Sequence, residues 1–312
     1  MKRNIFLLPV ILCLLGIAVT GCEKIVEFDV DEVTPYVVAI SRPEADSAVN
    51  INLSYSRFFL DGHPFRKISG ADLRLFSNGS QANLLSTDEG QYLFDCRPQA
   101  GDSLAFHLFV PSYPMMQAGT RVPAEPDYEV ETLYDSVAKF CQVKVRINDP
   151  KGRNYYRISF DGWTREWSPA SDTIPKPYSM DFSTSDIVFT DATSIDYMLD
   201  QGETTVYGSK LRFSDALFDG KSHTMVFNIY FWDMNDFLKD PNYPYYVRLT
   251  SLSQERYRYE NTIEQYNNNE FSFLSEPTQI YTNVQGGIGI FAASNTKKIE
   301  MKPTFTQLQP QY

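Results

Sequence analysis

Val19-Thr20-Gly21-Cys22 places a thiol directly behind small side chains, after an apolar run from Ile5 to Val19 that opens on Lys2 and Arg3. A signal peptidase that cuts ahead of a cysteine needs small residues before the cut. The thiol is then the group that takes a diacylglycerol. The apolar run is shorter than the roughly 20 residues that span a bilayer, so a transmembrane anchor is the weaker reading. The spacing predicts a lipoprotein signal over residues 1–21 and lipid attachment at Cys22. Residues 22–34 follow, rich in Glu and Asp, and read as a tether.

Recognition chemistry falls to the aromatic residues. Tyr155, Tyr156, Trp163, Trp167, Tyr243, Tyr245 and Tyr246 sit near predicted strand ends and turns. Side chains of this kind stack against sugars, peptide side chains or planar ligands, and they also close β-cores. Catalytic constellations are thin. The carboxylates are scattered, so none pairs with another for general acid–base work. The serines lack a Gly-x-Ser-x-Gly elbow. Gly286-Gly287-Ile288-Gly289 lacks the last Gly or Lys of a phosphate loop and no helix follows it, so it reads as a turn or bulge. His63, His107 and His223 lie far apart with no second His or Cys at ligand spacing, which leaves no metal site to assign. The reading is of a non-enzyme without a cofactor.

Of the four cysteines, Cys13 leaves with the signal and Cys22 is acylated. Cys96 and Cys141 remain, and the expectation is two separately buried thiols rather than a disulfide. Asp46-Ser47-Ala48, Asp102-Ser103-Leu104, Asp135-Ser136-Val137 and Asp172-Thr173-Ile174 resemble the Asp-Ser/Thr-apolar acceptor of Bacteroidota O-glycosylation. They make Ser47, Ser103, Ser136 and Thr173 candidate modification sites.

The elements that must position these residues are strands. Ile51, Leu53 and Tyr55 alternate with polar neighbours, as do Leu104, Phe106, Leu108 and Val110, and later Val143, Val145 and Ile147. Asp61-Gly62, Asn78-Gly79 and Glu89-Gly90 punctuate the first set as turns. The pattern predicts an all-β, mainly antiparallel protein. An Ig-like or transthyretin-like sandwich covers residues 35–123, and a larger β-sandwich or lipocalin-like barrel covers 128–312. The proline-containing run 111–127 reads as the connection between them. Further strands are expected at 154–163, 187–190, 205–213, 223–232, 245–250 and 279–283, with 223–232 covered on both faces. One helix is expected at about 253–266. Ser251 and Ser253 offer hydroxyl caps, Gln254 a capping box, and Leu252, Tyr259, Ile263 and Tyr266 an apolar stripe.

A formal net charge of −11 over 312 residues argues against nucleic acid, where Lys and Arg on phosphates supply most of the affinity. It also argues against docking on anionic lipid through a basic patch.

Five stretches together resemble one known family. They are Gly21-Cys22-Glu23-Lys24; Ala118 to Pro123; Asn148-Asp149-Pro150-Lys151-Gly152-Arg153-Asn154-Tyr155-Tyr156; Phe213-Ser214-Asp215-Ala216-Leu217-Phe218-Asp219-Gly220; and the region from Ser253 through Asn283-Val284-Gln285-Gly286-Gly287-Ile288-Gly289-Ile290-Phe291. Their order is similar to that of the Bacteroidota outer-membrane lipoproteins catalogued as domain of unknown function 4249. The resemblance implies an outer-membrane lipoprotein encoded beside a TonB-dependent transporter, and it brings no catalytic residues. The expected function is therefore a lipid-anchored binding accessory of such a transporter. A structural or adhesive surface module is the alternative.

Overall fold

The computed structural model describes residues 34–58, 61–135, 140–164, 176–189, 198–200, 203–230, 242–269, 278–302 and 304–306. Residues 1–33, including Cys22 and the tether, lie outside the described residues, as do Trp167, Ser136 and Thr173.

Alternation in the first third of the chain produces eight strands: β1 (Val37–Ser41), β2 (Val49–Tyr55), β3 (Asp72–Ser77), β4 (Ser80–Gln81), β5 (Asn83–Asp88), β6 (Gln91–Asp95), β7 (Ser103–Phe109) and β8 (Met116–Arg121). Asn78-Gly79 joins β3 to β4 and Glu89-Gly90 joins β5 to β6. All four residues have positive φ, the conformation that two-residue hairpin turns demand. β1, β2, β6 and β5 form one sheet and β4, β3, β7 and β8 the other. Val49, Ile51, Leu53, Leu104, Phe106 and Leu108 fill the space between them. β8 corrects the reading of 111–127 as a mere connection. It is a strand flanked by Pro114 and Pro123, and it is tolerated because it lies at the sheet edge.

The second body contains β9 (Tyr128–Asp135), β10 (Phe140–Asn148), β11 (Tyr155–Thr164), β12 (Lys176–Met180), β13 (Phe182–Thr184), β14 (Met198–Asp200), β15 (Glu203–Gly208), β16 (Lys210–Ser214), β17 (Ser222–Tyr230) and β18 (Tyr246–Leu252). The helix α1 (Gln254–Asn269) follows, then β19 (Ile288–Phe291), β20 (Ser294–Glu300) and β21 (Thr304–Thr306). One sheet runs β14-β15-β13-β17-β10-β9-β21. The other runs β12-β11-β18-β20, with β16 beside β12 on the same edge of β11. Cys141, Val143, Val145 and Ile147 of β10 face Phe160, Phe213 and Leu249 of the opposing sheet in one core. Among the described residues the sheets do not close on each other, so the lipocalin-like alternative gives way to stacked sheets.

Three local expectations are corrected. Ile187–Phe189 is a 3₁₀ turn, not a strand. β17 is not covered on both faces, since Val226 is exposed. Residues 279–283 form no strand. The chain instead runs irregularly to Val284 and then pairs β19 parallel to β1 of the first sandwich. Phe291 packs edge-on against Phe106 at 5.1 Å, and Val284, Phe291 and Ala293 belong to the first core. Asn283 holds the approach. Its Nδ2 donates to the Phe291 carbonyl at 2.8 Å and its Oδ1 accepts the Phe291 N–H at 2.9 Å. Gly289 has φ +132°, and a Cβ there would collide with the Ala39 carbonyl. The glycine-rich stretch is therefore a close-approach device between two backbones.

Candidate functional site

The turn after β10 and the loop after β16 fold onto each other and gather three carboxylates. Oxygen atoms of Asp149, Asp215 and Asp219 all lie within 4.8 Å of one another. Each is bound by donors from the other stretch or from β11. Tyr156 donates its hydroxyl to Asp149 Oδ1 at 2.6 Å, and the Gly220 N–H donates to Oδ2 at 2.9 Å. The Asn154 N–H and Nδ2 both donate to Asp215 Oδ2, at 2.7 and 3.1 Å. The Gly152 N–H donates to Asp219 Oδ1 at 2.9 Å. Burial, with the neighbouring Asp149 and Asp219 charges, raises the Asp215 carboxyl above its usual range, although the Asn154 bonds oppose this. Burial likewise raises the Tyr156 phenol, helped by Asp149. Carboxyl oxygens are what a hard divalent cation would take, but donors already occupy both Asp149 oxygens, Asp215 Oδ2 and Asp219 Oδ1. As it stands, the corner ties 148–156 to 213–220.

Beside this corner lies a cleft of about 470 Å³, floored by the 121–127 connection, the 148–156 turn and residues 251–255 at the start of α1. Tyr155 stacks on Tyr257 at 4.6 Å with 27° between rings and is half-buried. Arg121 and Arg153 bring cations to the lining, and Glu125, Asp127 and Glu255 bring acids. An aromatic face among charged and amide side chains suits a polar ligand that presents one flat apolar surface.

The proposed aromatic set divides. Tyr155 and Tyr156 reach the cleft, with Tyr156 almost wholly buried. Trp163 lies at the other end of β11, about 26 Å away at strand rise. There it donates Nε1 to the Pro244 carbonyl at 3.0 Å and meets Tyr243 edge-on at 5.3 Å. Tyr245, just ahead of β18, is buried and Tyr246, its first residue, is half-buried at that end. Ser47 and Ser103 are exposed. His107 is exposed against Phe76, as its place on the outer face of β7 predicts. Cys96 and Cys141 are free and buried in different cores. Burial pushes the Cys141 thiol up to about 12, which keeps it protonated and unreactive.

The seat of α1 went unread in the sequence. Ser253 caps it, with Oγ accepting the Arg256 N–H at 3.2 Å. Gln254 sits too early to complete a capping box. The predicted apolar stripe is not the buried face, since Tyr266 is exposed and Tyr259 and Ile263 are half-buried. The buried face is ionic. Glu260 accepts from Arg256 at 2.5 Å and from Arg157 of β11 at 2.6 Å. Arg212 of β16 pairs with Glu264 and donates to Asn261 at 2.7 Å. Burial alone would raise the Glu260 carboxyl, but Arg157 and Arg256 outweigh it and hold the group below its usual range.

Two β-sandwiches, with α1 seated on charge, define among the described residues a β-sandwich protein of largely antiparallel sheets. The chain belongs to the family described as Domain of unknown function (DUF4249), whose profile matches residues 23–300. The stretches 118–123, 148–156 and 213–220 and the start of α1, which carry the family resemblance, meet at the cleft and its acidic corner. No curated protein sequence matches the chain. A solved structure described as "The Enterococcus faecalis MSCRAMM ACE binds its ligands by the collagen Hug Model" aligns over 87% of this chain and 96% of its own, at 9% identity and a TM-score of 0.24. A likeness at that level carries no argument about fold or ligand.

Proposed function

We propose that the chain is a lipid-anchored protein of the outer membrane, acylated at Cys22, that serves a TonB-dependent transporter as a binding accessory. The cleft beside Tyr155 is where it takes its ligand or a segment of the transporter. The observation that carries the binding reading is the cleft itself, with an aromatic ring stacked in place between charges of both signs. A preset stacking platform has already met the entropy cost of ordering, which favours recognition over a passive adhesive surface. The lipobox supports the anchor. Several acyl chains exceed the two signals that stable membrane attachment requires.

The test separates anchor from partner. Palmitate labelling of the wild-type chain and of Cys22→Ala reads the anchor, and labelling that survives in Cys22→Ala rejects it. A photo-crosslinker at Arg153, on the cleft rim, reads the partner in intact envelopes. A TonB-dependent barrel recovered from the wild-type cleft and lost with Tyr155→Ala supports the accessory role. Efficient crosslinking to other proteins only, with Cys22 labelled, leaves the anchor standing and rejects the transporter.

A further inference from the structure

The chain enters the first sandwich at Tyr36, and its backbone there pairs with the start of the loop that leaves β2. The Ser56 N–H donates to the Tyr36 carbonyl at 2.8 Å, and the Tyr36 N–H donates to Ser56 Oγ at 2.8 Å. The loop closes where the Tyr55 N–H meets the Arg66 carbonyl at 2.9 Å. Around that entry point three large aromatics stand in water, Tyr36 at 59%, Phe58 at 40% and Phe65 at 51% exposure. Two arginines lie over rings of the same patch, Arg57 4.5 Å from the Phe65 centroid and Arg66 4.1 Å from that of Tyr55. In a chain of net charge −11 this is a local concentration of cations and exposed rings. Asp61 is the loop's own acid, and the Asp88-Glu89 turn lies on the Lys67 side, where a Cβ on Gly90 would meet Lys67 Cβ at 3.0 Å. Asp61 acts on Arg57, whose Nη1 also donates to the His63 carbonyl, so the guanidinium that carries the patch's charge outward is Arg66, over the Tyr55 ring.

We infer that this patch seats on the lipid headgroup layer, holding the body down on the membrane instead of leaving it free on its tether. The inference rests on the anchor at Cys22 proposed above. Fully extended, the segment from Cys22 to Tyr36 reaches no more than about 50 Å, so of all points on the body the chain entry is the one the anchor restrains most directly. Among the loops, the one paired with Tyr36 is bound to that point. Its composition matches what an interface selects: amphipathic rings at headgroup depth, with a guanidinium on lipid phosphates. A chain-entry loop facing only water gains nothing from three exposed rings.

The experiment uses the acylated full chain on vesicles of phosphatidylcholine and phosphatidylglycerol at three to one. Phe65→Trp supplies a reporter, and lipids brominated near the headgroup supply the quencher. The added tryptophan is expected to be quenched well beyond the native tryptophans, and exchange of the Tyr55 and Ser56 amides to slow relative to Cys22→Ala in solution. The Phe58→Ser, Phe65→Ser chain with Cys22→Ala is expected to sediment with the same vesicles roughly fivefold less than Cys22→Ala alone, with an unchanged thermal midpoint. No excess quenching in a chain shown by mass to be acylated overturns the inference while leaving the anchor intact. Protection that needs a purified barrel and fails on protein-free vesicles also overturns it, and assigns the patch to protein contact. A chain that is never acylated defeats the anchor itself.

Discussion

Glu260 and Asp215 are both acids drawn out of water, and the protein treats them oppositely. Glu260 sits between Arg157 and Arg256, so its charged form is the one the fold favours. Asp215 is buried beside Asp149 and Asp219, so its charged form costs more than it would in water, and the Asn154 N–H donors ease that charge. The first arrangement seats a helix by attraction between elements distant in sequence. The second joins two loops by hydrogen bonds strong enough to bear a repulsion. Buried charge therefore says little until its partners are known.

The largest effect that could break this contrast is expected from Glu260→Ala. It strands Arg157 and Arg256 without their shared carboxylate and should cost about 3–5 kcal/mol in urea unfolding. A loss under about 1 kcal/mol would mean that α1 is held by something other than charge. Tyr156→Phe removes a donor from buried Asp149 and should cost about 1–2 kcal/mol by the same measurement. Asp215→Asn carries the opposite sign. It relieves a like-charge contact and keeps an acceptor for Asn154, so at pH 7 it should be neutral or stabilising by about 0.5–1 kcal/mol. Destabilisation there would show that the corner needs its full negative charge.

Acid titration sharpens the same comparison. The folded Glu260 pKa is depressed below 4.5, so its contribution is present above that pH and is lost as pH falls through the folded value. The folded Asp215 pKa is raised above 3.8, so its contribution is complete below that pH and is lost as pH rises through the folded value. Thermal midpoints between pH 3 and pH 7 should therefore fall less steeply on acidification in Glu260→Gln than in wild type, and more steeply in Asp215→Asn. The smallest effect is expected from calcium at millimolar concentration, which should leave the midpoint unchanged because backbone and side-chain donors already serve the corner. A saturable rise that disappears in Asp219→Asn would turn the corner into a metal centre.

The two halves of this contrast were unequally legible. Asn148 to Tyr156 and Phe213 to Gly220 both stood out in the family resemblance, but nothing in either stretch pointed to the other. Their meeting depends on β11 pairing with β16. The start of α1 was legible from Ser253, a local capping signal. Its buried face was misread because Arg256 and Glu260 are residue types that ordinarily face water. The aromatic residues were legible as a class and not as a site, since Tyr155 and Trp163 fall at opposite ends of one strand. The glycine stretch at 286–289 was legible as a turn or bulge, yet its partner, Ala39 of β1, lies some 250 positions earlier in the chain.

Alternation of apolar and polar residues determined the strands, the positive-φ turns determined the hairpins, and a serine determined where the helix begins. Each of these is a preference that a few neighbouring residues satisfy among themselves. Which sheet edge receives β19, which arginines surround Glu260, and which three aspartates share a corner were decided only by the tertiary structure. Those outcomes are energies between groups far apart along the chain, and they exist only once packing has brought the groups within a few ångströms.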